Sequence, residues 1–166
     1  MSTQPPALSQ KEMLDHAWRY FEIHANQRMA LFNFFLVLSS FVAAGLGASL
    51  QLRGAFELLG AGLGFLLAIV SFTFWKLDQR SSFLIRHAER AMAELENAFP
   101  ISGPRLFFNE AHLTAKEVTR WFYLRRLWTY GRAFRFVFWA MGVIGVLGAT
   151  LSLYFYLHGT SAAVEV

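Results

Sequence analysis

The sequence predicts an all-α integral membrane protein with three transmembrane helices and cytoplasmic helical extensions. Three apolar stretches are each long enough, at 1.5 Å per residue, to cross a hydrocarbon core of about 30 Å. Hydrophobic residues make up 55% of the 166 residues and the mean hydropathy is +0.37, which is too apolar for an ordinary soluble domain. No segment has the alternating pattern of a half-buried strand. We therefore expect a single membrane domain.

The first predicted element is an amphipathic helix over residues 10–28. Its apolar residues, which recur at spacings of four, three and four, are Leu14, Trp18, Phe21 and Ala25. Two placements of this helix stay open. It lies on the inner membrane surface, or it packs against other cytoplasmic helices before it continues into the first span.

The three predicted spans cover residues 29–52, 55–75 and 134–157, and residues 158–166 form a tail. Residues 76–133 are predicted to be cytoplasmic helices. Nothing breaks the helix at the inner end of the second span, so we expect it to continue into the cytoplasm as far as Pro100 and Pro104. Thr114 with Glu117 is a capping-box signature for a second cytoplasmic helix.

The distribution of basic residues predicts the orientation of the chain. Of 15 Lys and Arg residues, three precede the first span and 11 border or lie between the second and third spans. Only Arg53 lies in the turn between the first two spans, and none follows Leu157. By the positive-inside rule, the N-terminus and the middle segment are cytoplasmic, and the C-terminus is outside.

Small or polar residues recur at helical spacing on each span, and such residues let helices approach closely in membranes. The helix-packing or pore-lining candidates are Asn33, Ser40, Gly47, Gly60, Gly64, Ser71, Gly142 and Gly145. Either these stripes hold one three-helix unit together, or one of them lines a pore after oligomerisation. Three stripes exceed what a hairpin and one further helix must bury, which favours a homo-oligomer. The residues of the first span that are expected to face lipid are Leu31, Phe35, Leu38, Phe41, Val42 and Leu46.

A cluster of charges marks the inner ends of the spans. Its members are Arg28, Lys76, Asp78, Arg80, Arg132 and Arg135. Asp78 is the one acid among five bases. We expect it to pair with Arg28 or Arg132 and so to keep like charges from separating the helices, with gating or ion binding as the alternative.

The sequence predicts no catalytic residue, cofactor or metal site. P-loop, GxSxG and HExxH motifs are absent, no two histidines have the i, i+4 spacing of a helical metal site, and there is no cysteine. Glu89, Glu94 and Glu96 alternate with bases on one helix and indicate a solvated face or an interface, not an acid-base pair. The pI near 9.8 does not indicate nucleic-acid binding, because the basic residues lie beside the spans.

Three phrases suggest a family. They are FEIHANQRMALFNFF (residues 21–35), FWKLDQRSSFLIRHAERAMAELE (residues 74–96) and TYGRAFRFVFWAMGVIG (residues 129–145). The chain resembles small bacterial inner-membrane proteins that include the octameric RipA family. Its two close spans followed by a basic cytoplasmic helix are also similar to SLATT-type effector domains, which form pores in antiphage defence; the third span departs from the plain two-span SLATT pattern.

Residues and resemblance together predict a homo-oligomer in the bacterial inner membrane. The resemblance implies an oligomeric bacterial inner-membrane protein, and we expect its activity to be that of a gated ion-conducting or membrane-disrupting effector. The alternative is a non-conducting scaffold whose cytoplasmic helices recruit a soluble protein. The expected partners are membrane lipid, further copies of the chain and, for the scaffold, that soluble cytoplasmic protein.

Overall fold

The computed structural model describes residues 9–52, 54–98, 106, 107, 109 and 130–162. The long helices in these ranges are α1 (Gln10–Leu52), α2 (Glu57–Ala98) and α3 (Tyr130–Ala162). Each is long and apolar enough, over part of its length, to cross a membrane. The described ranges contain no strand. The prediction of an all-helical chain with three candidate spans is therefore confirmed.

The helices continue across the predicted span boundaries. The amphipathic segment and the first span form one helix of 43 residues. α2 runs for 42 residues through the inner end of the second span, as the lack of a breaker predicted. The helix predicted from Thr114 and Glu117 lies outside the described residues.

Side chains cap the start of α1. The Ser9 backbone N–H donates a hydrogen bond of 2.7 Å to Glu12 Oε2, and the Glu12 N–H donates one of 3.3 Å to Ser9 Oγ. These reciprocal bonds form a capping box, which was not predicted at this position. The bond from the Ser9 backbone and the Ser9 side-chain bond lower the pKa of Glu12 below its usual value.

A short 3-10 turn, Gly54–Phe56, precedes α2. Gly54 has a φ of 64°, a left-handed conformation that glycine adopts without a Cβ clash. Its N–H donates a 3.2 Å hydrogen bond to Glu57 Oε1 in the first turn of α2. The negative charge of Glu57 at this helix N-terminus also stabilises the start of α2.

The chain divides into two compact units. The first, called the span unit, is Met29–Gln79 with Thr129–Val166, and the second, called the extension unit, is Met1–Arg28 with Arg80–Trp128. The span unit contains the candidate spans. Each unit has its own packing.

Aromatic rings form the core of the span unit near one end of the spans. Phe35 is fully buried and packs edge-on against Phe138, with ring centroids 4.7 Å apart. Phe32 stacks on Phe134 at 3.8 Å. Each such ring pair contributes about 0.5–1.5 kcal/mol beyond its buried area. A second cluster joins α1 to α2 through Val42, Leu46 and Leu67.

In the extension unit, Trp18 and Phe21 of α1 lie with ring centroids 6.3 and 6.4 Å from that of Phe107. Phe107 belongs to the middle segment. Of the two placements left open for residues 10–28, these contacts favour packing against the middle segment. α2 contributes Ile85 and Met92 to the buried residues.

Candidate functional site

Two of the predicted glycines bring the backbones of α2 and α3 into contact. A Cβ added to Gly64 would lie 2.5 Å from Ala149 N and 2.6 Å from Gly145 O. A Cβ on Gly145 would lie 2.7 Å from Gly64 O. Real side chains do not approach backbone so closely, so only glycine fits at both positions. Gly64 and Gly145 therefore pack helices within one chain.

Gly60 lies where all three helices meet. A Cβ there would be 2.5 Å from Ser49 Oγ of α1 and 2.6 Å from Ser152 Oγ of α3. Both serines are almost fully buried. Ser49 donates a hydrogen bond of 2.7 Å to the Leu46 carbonyl in its own helix, which satisfies its hydroxyl. Gly60 is thus also a packing residue.

Ser71 and Gly142 face each other across α2 and α3. A Cβ on Gly142 would lie 3.5 Å from Ser71 Cβ, an ordinary van der Waals distance. Ser71 is only 2% exposed, and its hydroxyl has no hydrogen-bond partner among the described residues. Both residues line a groove of about 650 Å³ between the two helices.

The first-span stripe lies on the outside of the span unit. Asn33 and Ser40 are exposed, and a Cβ on Gly47 would meet nothing within 4 Å. The buried residues of α1 are Phe35, Ser39, Val42, Leu46 and Ser49. At about 100° per residue, this buried face is opposite the stripe. Of the residues expected to face lipid, Phe41 is 75% exposed, but the expectation was wrong for Phe35, Val42 and Leu46, which form the core.

Ser39 and Ser49 are two further packing residues that were not among the predicted ones. Ser39 is fully buried, and its hydroxyl donates a 3.3 Å hydrogen bond to the Leu36 carbonyl. The signal was present in the spacing, because the buried residues from Ser39 to Ser49 recur at intervals of three, four and three.

Within the span unit, the inner-boundary cluster contains an ion pair. Asp78 is 4% exposed, and its Oδ2 lies 3.5 Å from Arg135 Nε. Arg132, which was one expected partner of Asp78, is exposed. Lys76 is also exposed, and its ammonium lies 5.0 Å from the ring centroid of Trp75. Arg28 and Arg80 belong to the extension unit.

Among the residues that the structure describes, no group of three or more His, Asp or Glu side chains is arranged to hold a metal ion. The span unit therefore has three structural features. Glycines join α2 to α3, a buried carboxylate pairs with a base, and a polar stripe on α1 stays outside the packing.

The sequence matches no family model and no solved structure. It is similar to CD-NTase-associated protein 19 of Escherichia coli, with 40% identity over 135 residues that cover 80% of this chain and 85% of that protein. The resemblance to the RipA and SLATT families stays a prediction. At this identity and coverage, the chain belongs to the CD-NTase-associated protein 19 family.

Proposed function

We propose that this chain is an inner-membrane effector of antiphage defence that forms homo-oligomers and, when triggered, conducts ions or disrupts the membrane, without acting as an enzyme. The name of its relative states an association with a CD-NTase, and this association belongs to CBASS antiphage defence. Three helices long and apolar enough to cross a membrane suit an effector that acts on the membrane itself.

The outward stripe on α1 carries the proposal. Packing within one chain uses the opposite face of α1 and leaves Asn33 and Ser40 exposed. The Ser40 hydroxyl is satisfied by a 2.6 Å hydrogen bond to the Leu36 carbonyl. The Asn33 amide has no partner among the described residues. An amide without a partner costs about 4–8 kcal/mol on transfer from water to hydrocarbon, so contact with other copies or with water around an axis is favoured over lipid.

A conducting path would have to lie between copies of the chain. Inside one span unit, Gly64 and Gly145 hold the backbones of α2 and α3 so close that a methyl group would not fit. A hydrated ion is larger than a methyl group. Several α1 helices around an axis would instead place the Asn33, Ser40 and Gly47 stripe along a path that opens when the helices tilt apart.

We predict that Ser40→Asp changes the cation conductance of the reconstituted oligomer, or its toxicity when overexpressed. A ring of carboxylates in a cation path alters the local cation concentration. Planar-bilayer recording measures the conductance.

Thr150→Asp is the matched control. Thr150 is exposed on α3, and its hydroxyl donates a 2.9 Å hydrogen bond to the Leu147 carbonyl, much as Ser40 does on α1. We expect Thr150→Asp to leave conductance unchanged. Two results together would contradict the pore. The wild type would show no conductance when tested with the proteins encoded beside it, and Ser40→Asp would change neither conductance nor toxicity. The non-conducting scaffold would then be the favoured function.

A second prediction concerns topology. Three membrane crossings place the ends of the chain on opposite sides, and the basic residues favour a cytoplasmic N-terminus. A reporter fused after His158 should be active only outside, and one inserted near Gly103 should be active only in the cytoplasm. Activity of both reporters on the same side would contradict the three-span model, because the two sites flank the third span.

A further inference from the structure

The groove between α2 and α3 combines apolar walls with positive charge at one end. Phe72 and Trp139, which line it, are 57% and 67% exposed, so the groove is open at the surface of the span unit. Arg135 lines its inner end, with a side chain that is 41% exposed. The Lys76 ammonium lies 5.0 Å from the Trp75 ring and 5.7 Å from the Phe72 ring, which places it at the edge of the groove.

The groove also contains a hydrogen-bond donor at a defined depth. Ser71 is 2% exposed, and its Oγ is without a hydrogen-bond partner in the described part of the chain. Ser71 precedes Lys76 by five residues, which is about 7.5 Å along the helix. Beyond Ser71, the walls are apolar and include Val143. The order along the groove is therefore two cations, one hydroxyl and an apolar channel.

We propose that this groove binds one anionic glycerophospholipid. Such a lipid carries a phosphate, then ester carbonyls, then acyl chains, in the same order as the groups of the groove. The phosphate binds at Lys76 and Arg135, an ester carbonyl accepts a hydrogen bond from Ser71 Oγ, and one acyl chain lies along the apolar walls. The proposal rests on the membrane insertion proposed above.

The charge of this boundary favours an anionic lipid over a zwitterionic one. At the end of the groove, Lys76 and Arg135 are the bases and Asp78, which pairs with Arg135, is the acid, so two positive charges and one negative charge leave a net charge of +1. Basic residues at the cytoplasmic membrane surface attract anionic headgroups. A second copy of the chain in the groove would have to supply an acidic residue at this end. The first span, residues 29–52, has no acidic residue to supply.

The test is native mass spectrometry of the detergent-purified protein titrated with phosphatidylglycerol or with phosphatidylcholine of the same acyl chains. We expect one phosphatidylglycerol per chain, retained at least tenfold more tightly than phosphatidylcholine. Lys76→Gln should weaken phosphatidylglycerol binding severalfold. Gly142→Leu should abolish binding, because its side chain enters the groove.

Two control variants match these changes. Arg132→Gln removes an exposed base of the same boundary that does not line the groove, and Gly62→Leu adds the same side chain at an exposed glycine. Both should bind phosphatidylglycerol as the wild type does. Arg135 is left unchanged because it also pairs with Asp78.

Equal retention of the two lipids, or unchanged phosphatidylglycerol binding in both Lys76→Gln and Gly142→Leu, would overturn the proposal. If no lipid is bound and Gly142→Leu forms a smaller oligomer than the wild type, the groove is the contact site of a second copy of the chain instead. Extraction of the wild type from membranes by alkaline carbonate would contradict membrane insertion itself. A protein that resists carbonate but shows no lipid preference would contradict only the lipid site.

Discussion

Gly64→Leu is expected to separate α2 from α3 and to lower the melting temperature of the purified chain by on the order of 10 °C. A Cβ at Gly64 meets the backbone of Gly145 and Ala149 at 2.5–2.9 Å, and backbone cannot rotate away as a side chain can. Overpacking costs about 1–3 kcal/mol, and at a backbone contact we expect the upper end. In a chain of this size, each kcal/mol shifts the melting temperature by about 2–4 °C.

Gly62→Leu separates this packing effect from the chemistry of leucine. Gly62 is exposed on the same helix, and a Cβ there meets nothing within 4 Å. Both variants should insert into membranes, because Leu is favoured at the centre of a transmembrane helix. Intrinsic fluorescence of the five tryptophans reports the melting in detergent. Equal melting temperatures for the two variants would show that α2 and α3 do not touch at Gly64.

The helical architecture could be predicted because it depends on local sequence. The length and hydropathy of the three apolar stretches predict three candidate spans, and the lack of a breaker after Trp75 predicts the continuous α2. The spacing of Gly60 and Gly64 likewise predicts a close approach of helices. The spacing does not predict which helix packs against this face of α2. The structure shows that it is α3 of the same chain.

The buried face of α1 could not be predicted from hydropathy. In a membrane, lipid tails are as apolar as Phe35 or Leu46, so an apolar side chain does not distinguish core from lipid-facing surface. Ser39 and Ser49 mark the core face better than the larger residues do, because their small side chains allow close packing.

A similar limit applies to the charged residues. The sequence left open whether Glu94 and Glu96 lie on a solvated face or at an interface, because the alternation of acids and bases is the same in both cases. Glu96 is only 7% exposed, which fits an interface. Glu94, two residues earlier, is exposed, which fits a solvated face.

Charge removal at the inner boundary should destabilise the chain in a defined order. Arg135→Gln removes a positive charge 3.5 Å from the Asp78 carboxylate, which stays in a site that is only 4% exposed. Loss of one partner of a fully buried ion pair costs about 3–5 kcal/mol, and the 41% exposure of the Arg135 side chain lowers the cost expected here. Asp78→Asn should cost less, since the Arg135 side chain is 41% exposed and its charge stays partly hydrated. Glu94→Gln should change stability by no more than about 1 kcal/mol.

The double variant Arg135→Gln with Asp78→Asn tests whether these effects arise from the pair. If the two charges stabilise each other, the second substitution costs less once the first has removed their attraction. The double variant should then lose less stability than the sum of the two single losses, with a coupling free energy of about 0.5–3 kcal/mol in a double-mutant cycle. Additive losses in the cycle would contradict the pairing, because two charges that act independently have no coupling free energy.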